Sequence, residues 1–194
     1  MNLVIRILLF AIASHMLTGC ESGSEKENLS LESDFDQISV AEIYTLMVPK
    51  YMKRTTSLNS EASFQCNNML KAAYCIVIDE PKDEFTSSFR LLEQYAEDKS
   101  VLDNYANAQI GFITEDLTVI SQSDIENISI NGLEARTMTM DASSKDIPHD
   151  ITYFITFYEG SENIYMMMNW TLSSKKVKLS DTFDKIAQSF QEVK

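Results

Sequence analysis

Histidine is nearly absent from this chain: two occur in 194 residues, and only His149 lies beyond the amino-terminal segment. A Ser-His-Asp or Cys-His mechanism needs a base that holds a proton near neutral pH, so it would have to use His149. No G-x-S-x-G, H-E-x-x-H or C-x-x-C pattern accompanies it. Glycine is scarce as well. Of five, Gly111, Gly132 and Gly160 stand alone near turns, which argues against a phosphate-cradling loop. Positive charge is short, with 16 Lys and Arg against 29 Asp and Glu and a net charge of −13. That balance argues against a nucleic-acid partner, which needs a basic stripe, and against flat electrostatic docking on anionic lipid. No apolar run is long enough for a membrane-spanning helix.

What the chain does have is a short apolar run at its amino terminus. Arg6 and the terminal amine precede Ile7 to Leu17, and small residues lead to a cysteine. This is the layout of a secretory signal. Leu17-Thr18-Gly19-Cys20 resembles the bacterial lipobox. The resemblance implies cleavage before Cys20 and lipid on its sulfur and new amine. Attachment would then run through acyl chains. The expected organisation is a signal peptide over 1–19, a lipidated cysteine and flexible acidic tether over 20–39, and one domain over 40–194. The tether carries Glu21, Glu25 and Glu27. Hydrophobic residues at 44% suffice for an ordinary core.

Two cysteines remain beyond the signal, Cys66 and Cys75. Ser63–Asn67 and Lys71–Ile78 read as a hairpin with a tight turn near Asn68-Met69. That register sets Cys66 opposite Lys71 and Cys75 opposite Ala62. The sulfurs would then lie roughly 13 Å apart, too far for a bridge. A slipped register or wider loop would bring them together. Two separate thiols are the expectation.

Regular structure is expected from Val40, with a strand over Glu42–Val48 ended by Pro49. After the hairpin, Asp83 is placed to cap a helix whose stripe is Phe85, Phe89, Leu92 and Ala96, widened by Ser88, Leu91 and Tyr95. A second helical piece follows, with Val101, Leu102, Tyr105 and Ala106 on one side. Ile125–Ile130 and Leu133–Met140 flank Asn131-Gly132, a hairpin signal. Asp141–Asp150 reads as a polar loop, Ile151–Tyr158 and Ile164–Leu172 as strands. Ser180 is placed to cap a last helix with Phe183, Ile186, Ala187 and Phe190 as its stripe. Hairpin connections imply an antiparallel sheet. Two apolar helix faces need both sides of it. The expected fold class is α+β, an α-β-α sandwich with a central antiparallel sheet of six or seven strands.

The order of Val48-Pro49-Lys50, a hairpin, Asp79-Glu80-Pro81-Lys82-Asp83-Glu84-Phe85, Ile130-Asn131-Gly132-Leu133-Glu134-Ala135-Arg136, Tyr153-Phe154-Ile155-Thr156-Phe157-Tyr158-Glu159-Gly160, Asn169-Trp170-Thr171-Leu172 and Ser189-Phe190-Gln191-Glu192 resembles the Mog1/PsbP-like fold. It is most similar to the bacterial lipoproteins of that group. The resemblance covers roughly 40–194 and rests on structural motifs, so it speaks to fold before activity. It implies a non-catalytic adaptor or assembly role and transfers no catalytic residues and no cofactor.

Several constellations carry candidate chemistry. His149 with Asp146 and Asp150 offers nitrogen and carboxylate ligands that suit zinc or manganese. The opposing interpretation is a solvent-facing loop. Met166, Met167 and Met168 offer thioethers, but strand alternation turns Met167 away from the other two, which favours core. Lys50, Lys53 and Arg54 form one basic cluster, and Lys175, Lys176 and Lys178 another. Together they are a candidate docking patch for an acidic partner or a phosphate head group, set against plain solvated charge. The expectation is a lipid-anchored protein of the bacterial cell envelope with a non-catalytic binding or adaptor domain, no cofactor and an envelope protein as partner. The rivals are a hydrolase using carboxylates or a metal near His149, and a metal-binding accessory protein.

Overall fold

The segment Ile164-Tyr165-Met166-Met167-Met168 is apolar at every position. A strand of that kind has to be covered on both faces. The computed structural model of the protein, which describes residues 25–145 and 147–193, places it at the centre of such an arrangement. In chain order come α1 (Leu31–Asp34), β1 (Phe35–Val40), β2 (Tyr44–Pro49), β3 (Lys53–Arg54), β4 (Phe64–Asn68) and β5 (Ala73–Pro81). Then follow α2 (Lys82–Leu91), α3 (Val101–Thr114), β6 (Thr118–Gln122), β7 (Glu126–Ile130), β8 (Leu133–Ser144) and β9 (Ile147–Glu159). The chain closes with β10 (Asn163–Leu172), a 3-10 turn at Ser173–Lys175, α4 (Lys176–Gln188) and β11 (Gln191–Glu192).

The large sheet has eight strands in the order β3-β4-β5-β10-β9-β8-β6, with β7 also on β8. All its pairs are antiparallel. Ile164, Met166 and Met168 face α2 and α3, packing with Phe85, Leu102 and Tyr105. Tyr165 and Met167 face the other way, with Phe183, Ile186 and Phe190 of the α4 side. The methionine triad is therefore split between two cores. A second sheet, β1-β2-β11, joins the α4 side, and Phe35 of β1 is buried there.

The α+β class, the antiparallel sheet and the helices on both faces match the sequence reading. The strand inventory is larger than six or seven, because the small sheet stands apart and β6 and β7 share one neighbour. Among the described residues regular structure begins at Leu31 rather than at Val40.

The hairpin register differs more sharply. Its loop is wider, with Asn68 paired to Ala73, so Cys66 lies directly opposite Cys75. Both thiols are buried and unbridged. Nothing local in Asn68–Ala72 fixed the loop length; Ala72 takes a φ of 53°, a value the sequence does not advertise.

Helix ends also moved. Pro81 occupies the cap position of α2, and Asp83 lies within its first turn. Leu91 and Leu92 are exposed where that helix stops, so the expected stripe ends at Phe89. Ser180 lies inside α4, where its hydroxyl donates to the Val177 carbonyl (3.1 Å). α4 begins instead at Lys176, with no side-chain cap, and the Lys176 ammonium pairs with Asp141 at 3.0 Å. The segment read as a polar loop over 141–150 is mostly strand, since β8 runs to Ser144 and β9 begins at Ile147.

The Asn131-Gly132 turn is as expected, with φ of 49° and 84°, the left-handed pair of a tight hairpin. The Asn131 side chain also donates to the carbonyls of Gln188 (3.0 Å) and Phe190 (2.8 Å). One turn thereby closes both the β7–β8 hairpin and the end of α4.

Candidate functional site

Two of the residues singled out in the sequence, Cys20 and Asp146, lie outside the described residues. His149 and Asp150 sit on the first residues of β9, exposed. Among the described residues no group of three His, Cys, Asp or Glu is placed to hold a metal ion. That search covers His149 and Asp150 but not Asp146, which lies outside the described residues.

The basic residues fare differently. Lys53 pairs across β3–β4 with Asn67, next to the β4–β5 tip, and its ammonium donates to the Lys50 carbonyl (3.0 Å). Lys175 reaches the same tip, donating to the Leu70 carbonyl at 3.2 Å. Arg54 lies over the Phe64 ring at 5.2 Å, and Lys176 is spent on Asp141. The residue that joins the two clusters is Lys71, which the sequence did not single out. Its ammonium lies 4.7 Å above the Tyr51 ring and 2.6 Å from the Glu27 carboxylate. Burial would lift the Glu27 carboxyl. Hydrogen bonds from Lys71, Tyr51 and Thr182 and the Lys71 charge outweigh it and hold the group below its ordinary range. Burial lowers the Lys175 ammonium, and the nearby Lys178 and Lys71 charges lower it further.

Two grooves deserve the name of site by shape and lining. The first, about 310 Å³, lies between α4 and the sheet and is lined by Thr137, Thr139, Thr156, Asn169, Phe183 and Asp184 among others. Strand alternation brings the three threonines and Asn169 to the same face. Asn169 is 1% exposed, and its Oδ1 has no hydrogen-bond partner among the described residues. Such an acceptor is costly to leave unpaired. Phe183 lies against Phe154, ring centres 5.4 Å apart. Hydroxyls, an amide and an aromatic wall make a place to bind a polar molecule.

The second groove, about 230 Å³, sits beside α2 and is walled by Ile78 and Phe85, with carboxylates Glu61, Asp79, Glu80 and Glu84. Burial pushes the Glu80 carboxyl up, and the Asp79, Glu61 and Glu84 charges add to this; a 3.4 Å hydrogen bond from Gln109 opposes it. Gln109 is itself buried, its Oε1 unpartnered. In the sequence Glu80 is one of 29 Asp and Glu residues. What marks Glu80 is its environment, which requires β5, α2 and α3 to be brought together.

No family model and no curated protein matches the chain. Solved structures do. The chain is similar to the solution structure of cyanobacterial PsbP (CyanoP) from Synechocystis sp. PCC 6803, with a TM-score of 0.58 and 10% identity over 82% of this chain and 93% of that one. It also matches the crystal structure of PA94, a protein of unknown function from Pseudomonas aeruginosa, at a TM-score of 0.41 and 11% identity over 81% of this chain and 96% of that one. At such identities the likeness to CyanoP speaks to the fold alone, and by that measure the chain has a PsbP-like fold.

Proposed function

We propose that this is a lipid-anchored protein of the bacterial cell envelope whose PsbP-like domain is a non-catalytic binding module, with the groove under α4 as its ligand site. The anchor rests on Leu17-Thr18-Gly19-Cys20. The binding site rests on one observation, the buried and unpartnered Oδ1 of Asn169 inside a hydroxyl-lined groove. A ligand N–H or O–H donated to that oxygen gains a hydrogen bond in a poorly hydrated setting. The volume, at the small end for ligand pockets, suits a small polar molecule or one side chain of an envelope protein. Phe154 and Phe183 would take its apolar part.

The test is a melting-temperature screen of wild type and Asn169→Leu against amino acids, sugars and nucleosides. The expected result is a rise with one class that the variant loses, since ligand binding to the folded state stabilises it. A rise that survives in Asn169→Leu would place the ligand elsewhere. The anchor has a separate test: a fatty-acid probe should label the wild type in cells and not Cys20→Ala.

A second reading keeps the hydrolase alternative and moves it from His149 to the acidic groove. Glu80 would be the general acid, since a carboxyl with a raised pKa keeps its proton at higher pH. Glycoside and ester substrates turned over by wild type and not by Glu80→Gln would establish it.

A further inference from the structure

The β4–β5 tip presents apolar side chains to solvent in a place with no packing reason for them. Met69 is 67% exposed and Leu70 86%, and Val177, in the first turn of α4, is 51% exposed. Lysines surround them: Lys71 follows Leu70 in the chain, Lys175 bonds its carbonyl, and Lys178 lies one residue beyond Val177. In a chain of net charge −13 this is a local reversal of sign.

The amino-terminal segment comes in at the same place. The Glu27 N–H donates to the Lys178 carbonyl (2.9 Å), and its carboxylate pairs with Lys71. Cys20 is seven residues before Glu27, so at full extension an anchor there lies within about 25 Å of this face. The far end of the sheet is about 33 Å away along the ten residues of β10, beyond that reach. That far end carries Asp79, Glu80, Glu84, Glu159 and Glu162 against Lys82, which pairs with Glu159, a negative balance that an anionic surface would repel.

We propose that the β4–β5 tip, with Met69 and Leu70 flanked by Lys71, Lys175 and Lys178, is a membrane-docking surface that rests on the anionic phospholipid bilayer beside the anchor. Leu70 and Met69 enter the head-group boundary, as apolar residues with flanking lysines do at membrane surfaces. Lys175 and Lys178 meet lipid phosphates, while Lys71 stays with Glu27. The identity of the occupant rests on the lipid-anchor reading.

The experiment supplies its own anchor. The chain from Glu21 onward is captured through an amino-terminal histidine tag on vesicles bearing nickel-chelating lipid. The vesicles are either phosphatidylethanolamine with phosphatidylglycerol, or phosphatidylcholine alone. An environment-sensitive fluorophore is placed on Leu70→Cys or, at the opposite end, on Ser161→Cys; Cys66 and Cys75 are too buried to compete. The expected result is brightening at 70 on the anionic vesicles, less on the neutral ones, and none at 161. Lys175→Gln with Lys178→Gln should lower the inserted-to-free ratio about 30-fold, the factor supplied by two lysines near an anionic surface. A dark fluorophore at 70 on anionic vesicles, equal signals at 70 and 161, or indifference to the two lysines would each overturn the proposal. Docking without acylation of Cys20 in cells would leave the tip standing and remove the anchor; the reverse would do the opposite.

Discussion

At one end of β5, Ala73 follows a tip held by Lys71, Lys175 and Glu27. At the other, Asp79 and Glu80 lead into Pro81 and the acidic first turn of α2, Asp83 and Glu84. The same strand thus joins a basic end to an acidic one. The carboxyl groups at the two ends have pKa values shifted in opposite directions. Glu27 is held below its ordinary range by donors that meet it. Glu80 is held above it by burial among other carboxylates. A net charge summed over the whole chain hides this separation. It argues against a polyanion wrapped around the domain and against flat docking of the whole domain on anionic lipid, yet it says nothing about one end of the sheet.

The largest effect should come from the core that both ends share. Phe183 is buried on α4, between the basic start of that helix and the turn that locks its end. Phe183→Ala should destabilise by about 3–5 kcal/mol, read by chemical denaturation. A loss below about 1 kcal/mol would mean that α4 does not seal the sheet.

Next comes the latch at the basic end. Glu27 accepts from Lys71 (2.6 Å), Tyr51 (2.8 Å) and Thr182 (3.0 Å). Glu27→Ala should cost about 2 kcal/mol, the scale of hydrogen bonds to a charged group. Because the folded-state pKa is lowered from 4.5, the contribution is present above that unfolded value and is lost as pH falls through the lower folded one. Wild type and Glu27→Ala should therefore converge in stability in acid. Parallel curves would show that the carboxylate charge does not matter to the latch.

Glu80 gives the opposite sign. Its folded pKa is raised, so its favourable contribution is present below the unfolded value and is lost as pH rises through the folded one. Glu80→Gln keeps the shape and removes the buried charge. It should stabilise by about 1 kcal/mol at neutral pH, a gain that fades as pH falls into the carboxylate range. A destabilised variant at neutral pH would mean that the ionised carboxylate has a partner at the acidic end, and the contrast with Glu27 would fail.

Period and turn chemistry carried most of the fold into the sequence. The split of Met166 and Met168 from Met167, the Asn131-Gly132 turn and the stripe of Phe183, Ile186 and Ala187 all follow from local spacing, while Phe190, expected on that stripe, is buried just past the end of α4. The misread parts depend on contacts distant in sequence. α4 begins at Lys176, whose partner Asp141 is 35 residues away, while Ser180 offered the better local cap signal. The Cys66–Cys75 register turned on loop length, where a difference of a few residues moves the whole pairing. Of the candidate sites, the lysines were visible as two runs. Lys71, which links them, is a single residue with no pattern around it. Asn169 and Glu80 are marked by burial, which no local pattern in a single sequence reports.

His149 should have the smallest effect, and it probes a position assigned to neither end's chemistry. The sequence made it the one histidine able to serve as base or ligand; the fold sets it on the first turns of pairing in β9, exposed beside the exposed Pro148 and Asp150. An exposed side chain outside the two grooves has little to lose on truncation, so His149→Ala should shift stability by no more than about 0.5 kcal/mol. It should also leave the α4 groove and the basic tip as they are. The check is a melting curve of wild type and variant, with and without zinc or manganese. Coincident curves are expected in all four conditions. A metal-dependent rise in wild type that His149→Ala abolishes would mean that this rim of the sheet gathers a ligand set, since a metal bound to the folded state raises its stability. The molecule would then have a third functional region, and the contrast between a basic docking end and an acidic end would no longer describe its chemistry.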